Sequence, residues 1–354
     1  MAKSQPKILV YTATDVSSES YRYLESLGCQ LVFLDNDLTV ASLYQRLIDE
    51  RGETVALLGN TIKSNKISED FFKLFKDLRV ISKYTIGTDD IDLDSANRYG
   101  IIVTNSPVEA SWGGVAESVV AMMLSLLKKN ISKHMSVLEG RWRDSKLAGR
   151  YLGARDDGFD GITLGIIGLG RVGSRLAHLL STWNFTILAC DPYVTEAHST
   201  SLGVEKVSLQ ELLKRSDVVS LNCSLTSETH HILNNETLGI IKKGAVVINS
   251  ARGQLIDELA LCKSIKFGAV SQFAADVFSE EPLPMTSPLR QFNSDQVLFS
   301  PHMAAANFPG TLGAAIPIAT DAVVDALKGV LPSNIVNDKA SDLWQKRFKG
   351  KSLV

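Results

Sequence analysis

The apolar run Ile162-Thr163-Leu164-Gly165-Ile166-Ile167 leads directly into Gly168-Leu169-Gly170-Arg171-Val172-Gly173. A strand that turns into a helix through glycines brings the backbone close to a pyrophosphate and aims unpaired helix N–H groups at its charge. A GxGxxG alone is a weak signal, because an ordinary turn with a helix cap gives the same letters. Its surroundings narrow the choice. Leu176, Ala177, Leu179 and Leu180 recur at helical spacing, and Phe185-Thr186-Ile187-Leu188-Ala189-Cys190 reads as the next strand. That strand ends at Asp191, twenty-three residues after Gly168, where a carboxylate can accept both hydroxyls of an adenosine ribose. The segment reads as a dinucleotide site. A 2′-phosphate would face the Asp191 charge, so NAD is expected rather than NADP.

At 354 residues the chain suits two domains better than one. Hydrophobic residues make up 45% and charged residues 21%, the balance of a globular protein. A formal charge of −2 gives no electrostatic case for nucleic acid or an anionic membrane as partner. No uninterrupted apolar segment reaches the roughly 18 residues that cross a bilayer. The opening Met1-Ala2-Lys3-Ser4-Gln5-Pro6-Lys7 has no secretory h-region, so a cytoplasmic protein is expected. Cys29, Cys190, Cys223 and Cys262 are scattered, which fits free thiols in a reducing compartment and no metal site.

Strands and helical segments alternate, which predicts an α/β fold with mostly parallel sheets. Ile8–Tyr11, Val55–Gly59, Val80–Tyr84 and Ile101–Thr104 read as strands ahead of a long helix from Val115 to about Lys129. That helix is apolar nearly all round, as expected at a domain junction or a dimer interface. After the fingerprint come strands at Val218–Leu221, Ala245–Asn249, Phe273–Asp276 and Val297–Ser300. They end at polar residues, and ligands in open α/β sheets collect at such carboxyl ends. A last helix, Ile316 to Leu327, is expected to return to the first domain.

Three further segments complete a pattern: Asn249-Ser250-Ala251-Arg252-Gly253, Asp276-Val277-Phe278-Ser279-Glu280-Glu281-Pro282 and Ser300-Pro301-His302. With the fingerprint, Asp191, Ile86-Gly87-Thr88-Asp89-Asp90-Ile91-Asp92 and Val115-Ala116-Glu117, the chain resembles the D-isomer-specific 2-hydroxyacid dehydrogenases over nearly its whole length. The resemblance implies two doubly wound parallel-sheet domains. A Rossmann NAD-binding domain (109–307) is inserted into a flavodoxin-like substrate domain (1–108 and 308–354), with the active site in the cleft between them.

Carried over residue by residue, the resemblance makes Arg252, Glu281 and His302 the catalytic trio. His302 suits proton transfer because an ordinary imidazole titrates near neutrality. Glu281 would orient the ring and favour its protonated form. Spacing from Asp276 selects it over Glu280. The Arg252 fork would grip the substrate carboxylate or carbonyl oxygen. Gly168, Gly170, Arg171, Val172, Gly173 and Asp191 would bind the cofactor, with Asp276 at its nicotinamide end. The amides of Ile86 and Gly87 would take the substrate carboxylate.

The sequence departs from the family pattern at Ala110-Ser111-Trp112-Gly113-Gly114, at Gln272-Phe273, at Met303-Ala304-Ala305-Ala306-Asn307 and at Ser224. Trp112 reads as a hinge aromatic or as a lid over the substrate. His230 and His231 fall in a variable loop, on the surface or beside the adenine. Arg141-Trp142-Arg143 reads as a packing or interface segment. Lys83, Lys63 and Lys66 read either as a cationic rim for a phosphate on a longer substrate or as solvated charges. The expected activity is NAD-dependent interconversion of a small D-2-hydroxy acid and its 2-keto acid, of the glyoxylate or hydroxypyruvate type, in a homodimer. D-3-phosphoglycerate oxidation and an NAD-sensing, corepressor-like binding role are the alternatives.

Overall fold

A computed structural model of the chain describes residues 5–34, 40–62, 66–307 and 312–354, which leaves Lys63 outside the described residues. The chain divides into two compact units: Met1–Ser111 with Phe308–Val354, and Trp112–Asn307.

The first unit carries five parallel strands: β1 (Lys7–Tyr11), β2 (Gln30–Leu34), β3 (Thr54–Gly59), β4 (Val80–Lys83) and β5 (Ile102–Thr104). They lie in the order β2-β1-β3-β4-β5, the flavodoxin-like arrangement. Helices on both faces explain why the central strands are continuous apolar runs. Ile8, Val10, Ala56, Leu58 and Val80 enter one core, while Leu9, Tyr11, Leu57 and Ile81 enter the other. The late helix Ala315–Lys328 packs in the first of these cores together with Trp344. Arg79, nearly buried, donates to the carbonyls of Ala326 (3.0 Å), Leu327 (3.3 Å) and Lys351 (2.7 Å). Its positive charge thereby meets the negative end of that helix. The Trp344 indole N–H in turn donates to the Arg79 carbonyl at 2.9 Å.

The second unit carries seven parallel strands: β6 (Thr163–Ile167), β7 (Thr186–Cys190), β8 (Glu205–Lys206), β9 (Val218–Leu221), β10 (Ala245–Asn249), β11 (Val270–Ala275) and β12 (Val297–Phe299). Their order is β12-β11-β10-β9-β6-β7-β8. Read from the β8 edge this is the dinucleotide-binding order with one extra strand, and its direction of winding reverses between β6 and β9. Ile167 on β6 pairs with Cys190 on one side and Leu221 on the other, so the fingerprint leaves the sheet at this switch point.

β2 and β8 have no counterpart among the strands read from the sequence. β2 lies at a sheet edge with a mostly exposed or half-buried pattern, and β8 is only the two residues Glu205 and Lys206. The helix Glu109–Lys128 is long and apolar enough by composition to cross a membrane. In the structure it buries Gly113, Gly114, Ala116, Val119, Met122, Met123, Leu126 and Leu127. These form one stripe along a core helix.

Candidate active site

The helix that follows the fingerprint, Arg171–Leu180, buries Gly173, Leu176, Ala177 and Leu180 against its unit. Its N-cap is Gly170, which offers no side-chain cap to the first-turn amides. A Cβ on Gly170 would meet nothing within 4 Å, so the approach to those amides is open. Gly168 has φ +93°, a left-handed conformation that favours glycine, and a Cβ there would strike the Cys223 backbone at 2.7 Å. The Asp191 carboxylate faces the same turn. Its Oδ2 accepts the Leu169 amide at 2.8 Å and its Oδ1 accepts the Tyr193 amide at 2.8 Å. Each oxygen keeps a lone pair for a ribose hydroxyl. An uncapped helix N-terminus, an open glycine and a pinned carboxylate suit the pyrophosphate and adenosine ribose of NAD. Burial pushes the neighbouring Cys223 thiol up to about 11, with Asp191 and Cys190 adding to the rise. Burial and then Asp191 also raise Cys190, so neither sulfur is an activated nucleophile.

At the carboxyl ends of β10, β11 and β12 the trio residues are held by different means. Asn249 ends β10; its amide donates to the Arg252 carbonyl at 2.8 Å and its Oδ1 accepts the Ala251 N–H at 3.1 Å. Arg252 reaches its neighbour's Ala251 carbonyl at 2.6 Å. A Cβ on Gly253 would lie 1.9 Å from the Phe278 carbonyl carbon. Only glycine lets the Arg252 loop approach the Glu281 loop this closely. His302 follows β12 with φ 56°, an uncommon conformation that needs outside support in a non-glycine residue. Asp276, 2% exposed, supplies that support. Its Oδ1 accepts Met303 N at 2.8 Å and its Oδ2 accepts Ala304 N at 2.9 Å. His302 Nδ1 then lies 2.7 Å from Glu281 Oε2, while Oε1 of the same carboxylate accepts the Phe278 amide at 3.0 Å. With Nδ1 engaged, Nε2 is the ring nitrogen left for proton exchange.

In the first unit, the turn after β4 has its carbonyls committed. Ser106 N donates to Thr85 O (3.2 Å) and Asn105 Nδ2 to Ile86 O (2.9 Å). The amides of Ile86 and Gly87 have no hydrogen-bond partner among the described residues. Two adjacent unpaired N–H groups make an anion-receiving concavity.

Residues 120–304 match the family described as D-isomer specific 2-hydroxyacid dehydrogenase, NAD binding domain. The chain belongs to this family. A D-3-phosphoglycerate dehydrogenase of Methanocaldococcus jannaschii is 34% identical over 333 residues, 94% of this chain and 59% of that relative. The chain thus spans less than two thirds of the length of the phosphoglycerate dehydrogenases it matches. A glyoxylate reductase of Korarchaeum cryptofilum is 32% identical over 79% of this chain and 82% of its own length. Among solved structures, D-lactate dehydrogenase from Escherichia coli superposes with a TM-score of 0.74 at 26% identity, covering 93% of this chain and 99% of that one. A glyoxylate reductase from Paecilomyes thermophila shares the fold with a TM-score of 0.81 at 23% identity, over 95% of this chain and 99% of that one.

Against the pattern of this dehydrogenase family, one sequence expectation is overturned. Lys83 is neither a rim cation nor a solvated charge: it is fully buried and ion-paired with Asp90. Lys66 is exposed. Gln272 donates to the carbonyls of Leu126 (3.4 Å) and Asp295 (2.9 Å), and Phe273 packs edge-on against Phe299. His230 and His231 stack on each other with centroids 4.0 Å apart. Sequence reasoning assigned no role to Asn105, Ser106 or Asn249, which hold the backbones of the candidate site residues. The one available signal was their place just past strand ends, where polar side chains bond to neighbouring backbone.

Proposed function

We propose that this dehydrogenase interconverts a small D-2-hydroxy acid and its 2-keto acid, with NAD as the hydride carrier. The 2.7 Å contact between His302 Nδ1 and Glu281 Oε2 carries the reading. In reduction, His302 gives a proton to the substrate carbonyl oxygen as hydride reaches carbon; in oxidation it takes the hydroxyl proton. Glu281 fixes the ring through its Nδ1. Arg252 opposes the negative charge that develops on the carbonyl oxygen. The Ile86 and Gly87 amides receive the carboxylate. Gly168, Gly170, Arg171, Val172, Gly173 and Asp191 hold the dinucleotide. Met1–Ser111 with Phe308–Val354 is the substrate domain and Trp112–Asn307 the NAD-binding domain.

A glyoxylate- or hydroxypyruvate-type substrate is favoured, because the burial of Lys83 against Asp90 leaves exposed Lys66 alone, among the described residues, of the three lysines read as a phosphate rim. Kinship to phosphoglycerate dehydrogenases keeps 3-phosphoglycerate as the second reading. NADH oxidation with a panel of 2-keto acids tests the proposal. Saturable turnover of glyoxylate or hydroxypyruvate is expected. Preference for phosphohydroxypyruvate selects the second reading, and no turnover with any keto acid removes the enzyme reading in favour of an NAD-sensing binding protein.

The partner proposed for the second unit is another copy of this chain. The long helix spends its apolar stripe on the core, so the uncovered apolar surface comes from the next segment. Ile131, Met135, Val137, Leu138 and Trp142 are exposed there, Leu138 by 68% and Trp142 by 76%. A cluster of this kind on a free monomer invites association. Light scattering at micromolar concentration should give a dimer, and a stable monomer would rule it out. The four cysteines are free thiols, which supports a reducing, cytoplasmic location.

A further inference from the structure

We propose that the buried Lys83–Asp90 pair is a positioning device that presets the turn between its two residues, so that the Ile86 and Gly87 amides face a substrate carboxylate. The proposal rests on the 2-keto acid reading above.

Lys83 closes β4, and Asp90 returns to it after the six residues 84–89. Their side chains are 0% and 2% exposed. The lysine ammonium also reaches Thr61 Oγ1 at 3.4 Å, and the second Asp90 oxygen accepts the Ile62 amide at 2.8 Å. The Asp90 carbonyl accepts Ile67 N at 2.7 Å, and Ile67 O accepts Asp92 N at 2.8 Å. The turn is thereby tied at its base to the segment that follows β3. From the other side, Ser106 Oγ donates to Lys83 O at 2.8 Å. Tyr11 walls the pair off from water. It is fully buried, and burial together with the Asp90 charge pushes its phenol well above the ordinary range.

Such a pair is a poor device for stability alone, since an apolar pair of the same shape is often as good. It is a good device for geometry: in a dry site a charged hydrogen bond tolerates little displacement. Its charge balance matters too. Asp90 alone would hold a negative charge beneath the turn and repel an incoming carboxylate; Lys83 cancels it. The Ser106 amide and Asn105 orient the peptide planes of the turn; apolar side chains could close its base, but they would not fix where the turn stands on the end of β4 as the charged pair does.

The test uses the full chain with NADH bound and compares wild type with the Lys83→Met, Asp90→Asn double variant, which is uncharged and close in shape. Oxalate serves as a non-reacting probe of the carboxylate turn. The expected result is a rise of about tenfold in the oxalate Kd and in KM for glyoxylate, with kcat within about twofold and NADH affinity unchanged. Lys83→Arg should bind oxalate more tightly than the double variant. An unchanged oxalate Kd in the folded double variant overturns the proposal, as does a parallel loss of kcat and NADH affinity. If the double variant does not fold, hydrogen exchange on Asp90→Asn decides: residues 84–90 should exchange faster than in wild type, and unchanged exchange overturns the proposal. A wild type that binds oxalate but reduces no 2-keto acid defeats the functional reading while leaving this one standing; a wild type that binds no oxalate defeats both.

Discussion

Asp276 grips the turn that carries His302 through the Ala304 amide, 2.9 Å from its Oδ2, while its Oδ1 takes Met303 N at 2.8 Å. The buried carboxylate thus acts on the backbone just beyond the imidazole, whatever it also offers a bound nicotinamide. Asp276→Asn replaces one acceptor with an N–H that faces an N–H. We expect a loss of about 1–3 kcal/mol in stability and a fall in kcat larger than the fall in NADH affinity. Thermal melts and steady-state kinetics on the same preparation check it. Equal losses in both would assign Asp276 mainly to the cofactor.

His302→Ala should lose turnover by about 10²–10⁴-fold with NADH binding nearly intact. Glu281→Gln should lower kcat for keto-acid reduction with NADH affinity nearly unchanged, because the ring loses the carboxylate that holds its Nδ1 at 2.7 Å. An unchanged kcat would mean that Glu281 does not position the imidazole.

Asp191→Ala should narrow the preference for NAD over NADP by removing the charge that a 2′-phosphate would face. It should also weaken NAD itself, because Asp191 pins Leu169 N and Tyr193 N. Ratios of kcat/KM for the two cofactors report the first effect, and equilibrium titration with NADH reports the second. Wild-type enzyme equally efficient with both cofactors would contradict the assignment.

Asp217 supplies a pH dependence of folding. Burial works to raise its carboxyl, but the Thr163 amide at 3.0 Å, Arg150 at 2.7 Å and Lys242 at 3.0 Å hold it below the ordinary range. A carboxyl lowered in the folded state stabilises wherever the unfolded group is ionised, above about pH 4, and that contribution is lost as pH falls through the lowered value. The Tm of wild type should exceed that of Asp217→Asn at neutral pH, with the gap closing on acidification. A gap that stays constant down to about pH 2 would remove Asp217 as its source.

Apolar runs made most strands legible in the sequence, because a parallel sheet covered on both faces leaves its central strands no polar side. Edge strands lose that signal, as Gln30–Leu34 and Glu205–Lys206 show. The fingerprint was legible because Gly168 has a positive φ and a Cβ on Gly173 would lie 2.1 Å from the Gly168 carbonyl oxygen, while Gly170 leaves the helix end open. Lys83 was misread because a lysine looks solvated unless its partner is known, and Asp90 meets it only when the turn closes. The second role of Asp276 was hidden for a related reason. No residue pattern announces that a carboxylate will meet two amides 27 and 28 positions further on.

The Arg79 and Trp344 contacts set an order of events during synthesis. The first unit draws on both ends of the chain, and Arg79 waits for the carbonyls of Ala326, Leu327 and Lys351. At about 5–20 residues per second, the intervening Trp112–Asn307 takes roughly 10–40 s to emerge. The inserted unit can therefore close on its own sheet while Met1–Ser111 still lacks the helix that covers one of its faces. For that interval the growing chain leaves uncovered the apolar face formed by Ile8, Val10, Ala56 and Val80, which the late helix packs against in the finished fold.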